Sequence, residues 1–378
     1  MVSYIIWNGS PEIFSFGGSF ALRWYGLLFA LGFLISQQLL YYMFRTEGKP
    51  ERDVETLTIY MVVATIIGAR LGHVIFYQPD MLWTDPLGVI LPFQFSPSFK
   101  FTGLQGLASH GGAFGILFAL WLYSRKNKPG QSYFQVLDRI VILVALTGCL
   151  IRLGNFFNSE IIGKPTDSPL GVVFTGHVTE SIMRNQENLV ETVGVSKDDH
   201  VTVAENGEVP INVYVFFKKG VSREAADNFV RTDVKYILSQ LTEFVNESPL
   251  AAIKYEIVSE TDGTWVTKIH TVGIARHPAQ LYESISCLFL FAFLFWYWYR
   301  YKEAMPAGRI FGFFLVILWT LRFAYEYLKE NQEAFEGSLP INMGQILSIP
   351  LILAGVYILY RSYQEPTDNS TLQKGRSL

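Results

Sequence analysis

Apolar residues in this chain gather into long runs, and seven of the runs read as membrane-spanning helices. Such a helix needs about 20 mostly apolar residues. The runs cover about 19–44, 57–77, 108–124, 135–157, 279–299, 308–328 and 342–362. The third is short and reads equally as a helix half-buried in protein. Between the fourth and fifth, residues 178–272 break the pattern: they are polar and hold no span-length run. Asn212–Phe217 alternates and predicts a strand, whereas Ser222–Val245 places Ala225, Phe229, Val234, Ile237, Leu241 and Phe244 at helical spacing. Two more strand-like runs, about 252–258 and 264–272, flank Thr261-Asp262-Gly263. Asp-Gly between such runs signals a hairpin. The expected fold is therefore an all-α polytopic membrane protein of seven transmembrane helices with a small α+β extracytoplasmic inserted domain. Its core comprises 1–177 and 273–363, the insert 178–272, and 364–378 is a polar tail expected to be disordered.

Charge gives the orientation. Arg45, Lys49 and Arg52, then Arg125, Lys126 and Lys128, then Arg300, Lys302 and Arg309 crowd one set of connections, and the tail adds Arg361, Lys374 and Arg376. Segments 1–18 and 331–341 have no basic residue, and 78–107 has only Lys100. Basic loops stay inside, so the N-terminus is expected outside and the C-terminus in the cytoplasm. An odd number of spans requires the same split. No Lys or Arg precedes Arg23, so the first span is expected to remain rather than be cleaved as a signal peptide. Half of the residues are hydrophobic and the net charge is −3, which argues against a nucleic-acid partner. Cys149 and Cys287 both fall inside predicted spans and read as small buried apolar residues. No internal repeat is visible.

Polar groups inside or at the ends of spans carry the candidate chemistry. A charge at membrane depth costs about 2.5–3.5 kcal/mol on insertion scales and usually marks function. The fourth span closes on Arg152-Leu153-Gly154-Asn155-Phe156-Phe157-Asn158-Ser159-Glu160. If the helix continues, Arg152, Asn155 and Ser159 share a face. Arg suits a planar grip on phosphate oxygens; the bland alternative is an internal Arg–Glu pair that only orients the bundle. Arg322, Glu326 and Lys329 repeat the theme at the end of the sixth span. Tyr25 reads as an interfacial anchor or a ligand contact. Gly68 and Gly72 suit close helix packing; Arg70 between them either meets a lipid phosphate or snorkels. His110-Gly111-Gly112 offers a base of near-neutral pKa on a backbone free to approach a ligand. Asp138 suits the N-terminus of its own helix. Pro278 opens the fifth span, followed by Gln280 and Glu283. These groups suit an anionic phospholipid, with arginines stabilising a leaving phosphate. A lipid transporter would more often show inverted repeats and broken helices.

RLGNFFNSEIIG at 152–163 resembles the signature of the bacterial prolipoprotein diacylglyceryl transferases. GARLGHVIFY at 68–77, HGGAFG at 110–115, RHPAQLYE at 276–283, LRFAYEYL at 321–328 and MGQILSIP at 343–350 are similar to further blocks of that family, in family order. The resemblance covers essentially the whole chain except 178–272. It implies a seven-span bacterial plasma (inner) membrane enzyme whose site faces the outer leaflet. The reaction it implies moves the diacylglyceryl group of phosphatidylglycerol to the thiol of the lipobox cysteine of a prolipoprotein. A thioether forms, glycerol 1-phosphate leaves, and neither metal nor cofactor is needed. The partners implied are the lipid, the precursor's signal peptide and the bilayer. By the same resemblance, Arg152 and Arg322 bind and polarise the phosphate and His110 is the base. Tyr25, Asn155, Glu160, Gly163 and Glu326 match further functional positions. Ile151 and Ser159 stand where glycine is common in the family, and Lys329 where some members have arginine.

Overall fold

The computed structural model describes residues 4–16, 20–89, 93–94, 100–101, 108–198, 206–261, 263–330 and 341–364. Its helices are α1 (Trp24–Thr46), α2 (Arg52–Tyr77), α3 (Met81–Thr84), α4 (Ser109–Ser124), α5 (Tyr133–Phe157), α6 (Gly176–Asn185), α7 (Arg223–Phe229), α8 (Lys235–Gln240), α9 (Ala279–Tyr301), α10 (Arg309–Tyr325) and α11 (Met343–Gln364). Its strands are β1 (Ile5–Trp7), β2 (Glu12–Phe16), β3 (Phe20–Arg23), β4 (Phe93–Gln94), β5 (Lys100–Phe101), β6 (Val172–Phe174), β7 (Val190–Lys197), β8 (Glu208–Phe217), β9 (Lys254–Ser259) and β10 (Trp265–Arg276). Among the described residues, six helices are long and apolar enough to cross a membrane: α1, α2, α5, α9, α10 and α11. The chain is thus a multi-pass membrane protein. Helix α4, where the third span is expected, has 16 residues, short of the usual spanning length. The first span starts later than expected, because residues 20–23 pair as β3 with β2. The tail beyond Gln364 and Asp262 of the expected hairpin lie outside the described residues.

The chain forms two compact units. One comprises Gly32–Thr147, Cys287–Thr320 and Ile349–Leu378. Its apolar core gathers Met43, Phe44, Leu57, Leu120, Ile142 and Trp298. Charges buried in this unit are each met by a partner, since an unpaired charge out of water is very costly. The fully buried Glu47 carboxylate accepts from Arg139 Nη2 at 2.8 Å, from Lys49 Nζ at 2.5 Å and from Trp298 Nε1 at 2.7 Å. Burial opposes its ionisation, but Arg139 and Lys49 overcome that and hold its pKa below the ordinary value. Asp138 does not serve its own helix. Its carboxylate accepts from the backbone N–H of Gly308 at 2.7 Å and of Phe311 at 2.8 Å. It caps α10, whose first N–H groups have no partner within the helix.

Glycines seat α4 against α2. A Cβ on Gly111 would stand 2.8 Å from the Gly72 Cα, and one on Gly115 would stand 3.2 Å from the Gly68 Cα. Gly68 and Gly72 pack as their spacing predicts. Gly111, however, meets a helix where a ligand was expected. Arg70 is buried, and its Nη2 donates to the Gly88 carbonyl at 3.0 Å.

The other unit comprises Met1–Leu31, Gly148–Ser286 and Leu321–Ser348. A six-stranded sheet runs β1-β6-β10-β8-β7, with β9 also on β10. Alternation along β8 buries Val209, Ile211, Val213, Val215 and Phe217. These pack with Phe229, Val230, Val234 and Leu238, from the helical run that joins α7 and α8 through a π-helical turn at Val230–Val234. Strand β1 is parallel to β6, with Ile5 opposite Val172, so the sheet draws strands from outside 178–272. Cys149 is buried and Cys287 partly so, and neither is in a disulfide.

Gly111→Ala should lower the melting temperature in detergent, because the added methyl has no space on α2. Overpacking of this kind costs about 1–3 kcal/mol. A melting temperature equal to the parent's would show that the α2–α4 seam has slack.

Candidate active site

The signature run ends a helix in a specific way. Helix α5 stops at Phe157, and Ser159 adopts φ +54°. Ser159 N–H donates to the Phe156 carbonyl and Glu160 N–H to the Asn155 carbonyl, both at 3.0 Å. This pair of bonds around a left-handed residue is the Schellman cap. Ser159 therefore leaves the face it was expected to share with Arg152 and Asn155. It occupies the position where glycine is preferred, because a left-handed conformation costs a residue with a Cβ about 1–2 kcal/mol. In such caps the residues flanking the turn usually make an apolar contact. Here Asn155 Nδ2 donates to Glu160 Oε2 at 3.3 Å instead, and Asn158 Nδ2 to Oε1 at 3.1 Å. Ile161 follows with φ +55°, a strained state for a β-branched residue.

A chain of charges of alternating sign runs through the same unit. Arg152 Nε lies 2.5 Å from Glu283 Oε2. The other Glu283 oxygen pairs with Lys329 Nζ, which lies 3.9 Å from Glu326 Oε1. Glu326 lies 3.7 Å from Arg322 Nη2. Three cations and two carboxylates leave one net positive charge. The three inner side chains are at most 10% exposed, whereas Arg152 is 22% and Arg322 33% exposed. The accessible groups are thus the two end guanidiniums. Glu326 is further held by Asn342 Nδ2 at 3.2 Å, and a Cβ on Gly344 would press on its carboxyl carbon at 2.6 Å.

Two glycines bring the remaining pieces close. A Cβ on Gly154 would stand 3.0 Å from the Tyr25 Cα, and one on Gly163 2.7 Å from the His277 Cβ. Gly163 N–H donates to the His277 carbonyl at 2.9 Å. Burial lowers the His277 pKa. Tyr25, Arg152, Asn155, Glu160, Gly163, Arg322 and Glu326 therefore belong to one compact unit, whereas His110, exposed on the first turn of α4, belongs to the other. Glu283 and Lys329, already noted at span ends, take the role of links between the arginines. The i, i+7 spacing of Arg322 and Lys329 hinted at the second; only the fold reveals the first. Among the described residues, no group of three or more His, Cys, Asp and Glu side chains gathers as metal ligands.

The family model for prolipoprotein diacylglyceryl transferase matches residues 11–361. The chain belongs to that family. Similar relatives are named as phosphatidylglycerol–prolipoprotein diacylglyceryl transferases. That of Bacteroides fragilis is 32% identical over 358 residues, covering 94% of each chain. That of Tolumonas auensis is 30% identical over 361 residues, covering 96% of this chain and 98% of its own. That of Chloroherpeton thalassium is 32% identical over 363 residues, covering 96% of each.

Ser159→Gly should raise the melting temperature, since it removes a left-handed penalty of about 1–2 kcal/mol, less what glycine adds to the unfolded chain's entropy. A drop would show that the Ser159 side chain makes a compensating contact. Glu283→Ala should lower it, because Lys329 stays buried beside a vacated carboxylate site. Breaking a buried pair costs about 3–5 kcal/mol, and the partly exposed Arg152 end will recover less of that. A wild-type melting temperature for Glu283→Ala would mean that the chain of charges does not hold this unit together.

Proposed function

We propose that the chain transfers the diacylglyceryl group of phosphatidylglycerol to the lipobox cysteine thiol of a prolipoprotein. The supporting observation is the placement of Arg152 and Arg322 as the partly exposed ends of one charge chain whose inner members are buried. Each guanidinium can offer its remaining N–H donors to the oxygens of a phosphodiester anion. The thiol sulfur attacks the diacylglyceryl carbon bonded to the phosphate oxygen. That carbon–oxygen bond breaks, its electron pair stays on the phosphate, and glycerol 1-phosphate leaves. The arginines neutralise the charge that grows there. The thiol proton goes to His110, the base that the family resemblance implies. A thiol pKa near 8.5 makes that transfer mild. Tyr25, Asn155, Glu160, Gly163 and Glu326 shape the lipid site. No metal or cofactor takes part in this scheme.

In this reading α4 is the seventh span, the N-terminus lies outside and the C-terminus in the cytoplasm. The basic residues near the ends of α1, α4 and α9 support that orientation. The site then faces the outer leaflet of the bacterial inner membrane. The polar sheet around 178–272 becomes an extracytoplasmic head that receives precursors.

Purified protein in phosphatidylglycerol liposomes should add a diacylglyceryl mass to a lipobox peptide, and not to the same peptide with serine for cysteine. Absence of product across several lipid compositions would sink the proposal. Arg152→Ala and Arg322→Ala should each slow transfer about 100-fold or more, the scale of losing one charge-stabilising donor. His110→Gln should slow turnover while lipid binding holds; an unchanged rate would remove His110 from the proton transfer.

A further inference from the structure

Glu160 stands on a turn that the chain does not favour on its own. Its neighbours Ser159 and Ile161 both take left-handed φ values. Such outliers persist only where their surroundings over-determine them. The Schellman bonds fix the near side. Beyond the turn, Gly163 bridges to Lys329 and Lys164 N–H donates to the Leu328 carbonyl at 2.7 Å. The middle is held from α9, where Gln280 Nε2 donates to the main-chain carbonyl of Glu160 at 2.5 Å. Gln280 is 1% exposed, and among the described residues its Oε1 has no hydrogen-bond partner. A buried amide with one end unsatisfied is costly, so the bond at its other end is the reason for having glutamine there. At 1% exposure, the side chain does not itself meet a ligand in this geometry.

We infer that Gln280 is a positioning residue: by holding the Glu160 carbonyl it keeps the left-handed Ser159–Ile161 turn and sets where the Glu160 carboxylate stands toward the lipid. This rests on the reading of Glu160 as part of the phosphatidylglycerol site. Glu160 is suited to that part. It is exposed, and its carboxylate takes amide donors from Asn155 and Asn158, whereas Glu283 and Glu326 are buried in ion pairs.

The test uses the full-length protein in mixed micelles of detergent and phosphatidylglycerol with a lipobox peptide. Gln280→Met keeps the length and loses the donor. It should lower kcat/KM for the lipid by about tenfold to a hundredfold, the scale of a misplaced site group. The loss should appear as a higher KM for phosphatidylglycerol and leave the peptide KM unmoved; a loss of folded protein would lower the apparent kcat alone. Adding Ile161→Gly to Gln280→Met should restore about fivefold, by removing the left-handed penalty that the glutamine opposes. In a Glu160→Gln background, Gln280→Met should change the rate less than about twofold, as expected of residues acting as one unit. Gln280→Glu, the same size without the N–H, must reproduce the loss should the methionine variant fail to fold. Wild-type kinetics in either variant, or a loss that Ile161→Gly does not relieve, overturns the inference. An inactive wild-type protein would instead overturn the proposed reaction.

Discussion

A charge removed from water must be met by a partner, and in the unit holding the signature that partner is an opposite charge. Arg152 cannot be placed without Glu283, nor Glu283 without Lys329, nor Lys329 without Glu326, nor Glu326 without Arg322. The groups come from α5, α9 and the end of α10, so the ion pairs also fix how three helix ends meet. Buried pairs gain little stability over apolar packing. Their retention here makes sense as placement: two guanidiniums are set at fixed positions by partners that a ligand does not need to displace from water.

The end of α5 shows how a short motif does several jobs. The helix must stop for the chain to enter the sheet at β6, and a Schellman cap stops it within two residues. The same cap turns Glu160 back over Asn155, and Asn155 also accepts from Arg152 Nη1 at 3.4 Å. Cap, carboxylate and arginine thus form one hydrogen-bonded string along a single turn. A substitution at Asn155 would cut that string in its middle, removing both the acceptor for Arg152 and the donor to Glu160.

Much of the architecture was legible because apolar run length is a local property. The runs at 57–77, 135–157, 279–299, 308–328 and 342–362 all fall within or closely match long helices. The strands and helix expected within 178–272 rested on local periodicity too, and β8, β9, β10 and the α7–α8 run lie there. Partners were not legible, since they come from distant parts of the chain. Nothing near Asp138 tells that it caps α10 across 170 residues, nor that Arg70 meets Gly88. The site followed the same rule. Arg152, Asn155, Glu160, Arg322 and Glu326 stood out as polar groups at span ends, while Glu283 became legible as the joint between two cations only in three dimensions. Ser159 was misplaced on the helix face because a left-handed serine carries no sequence mark of its own.

The glycine seam between α2 and α4 also fixes its surroundings. Gly111 lies against the backbone of Gly68 and Gly72 with no side chain between them, and His110 is its immediate neighbour. The anchor of the imidazole is therefore tied to the α2 main chain. A methyl at Gly111 would meet that backbone, so the first turn of α4 keeps one fixed depth against α2, and with it the main chain of His110.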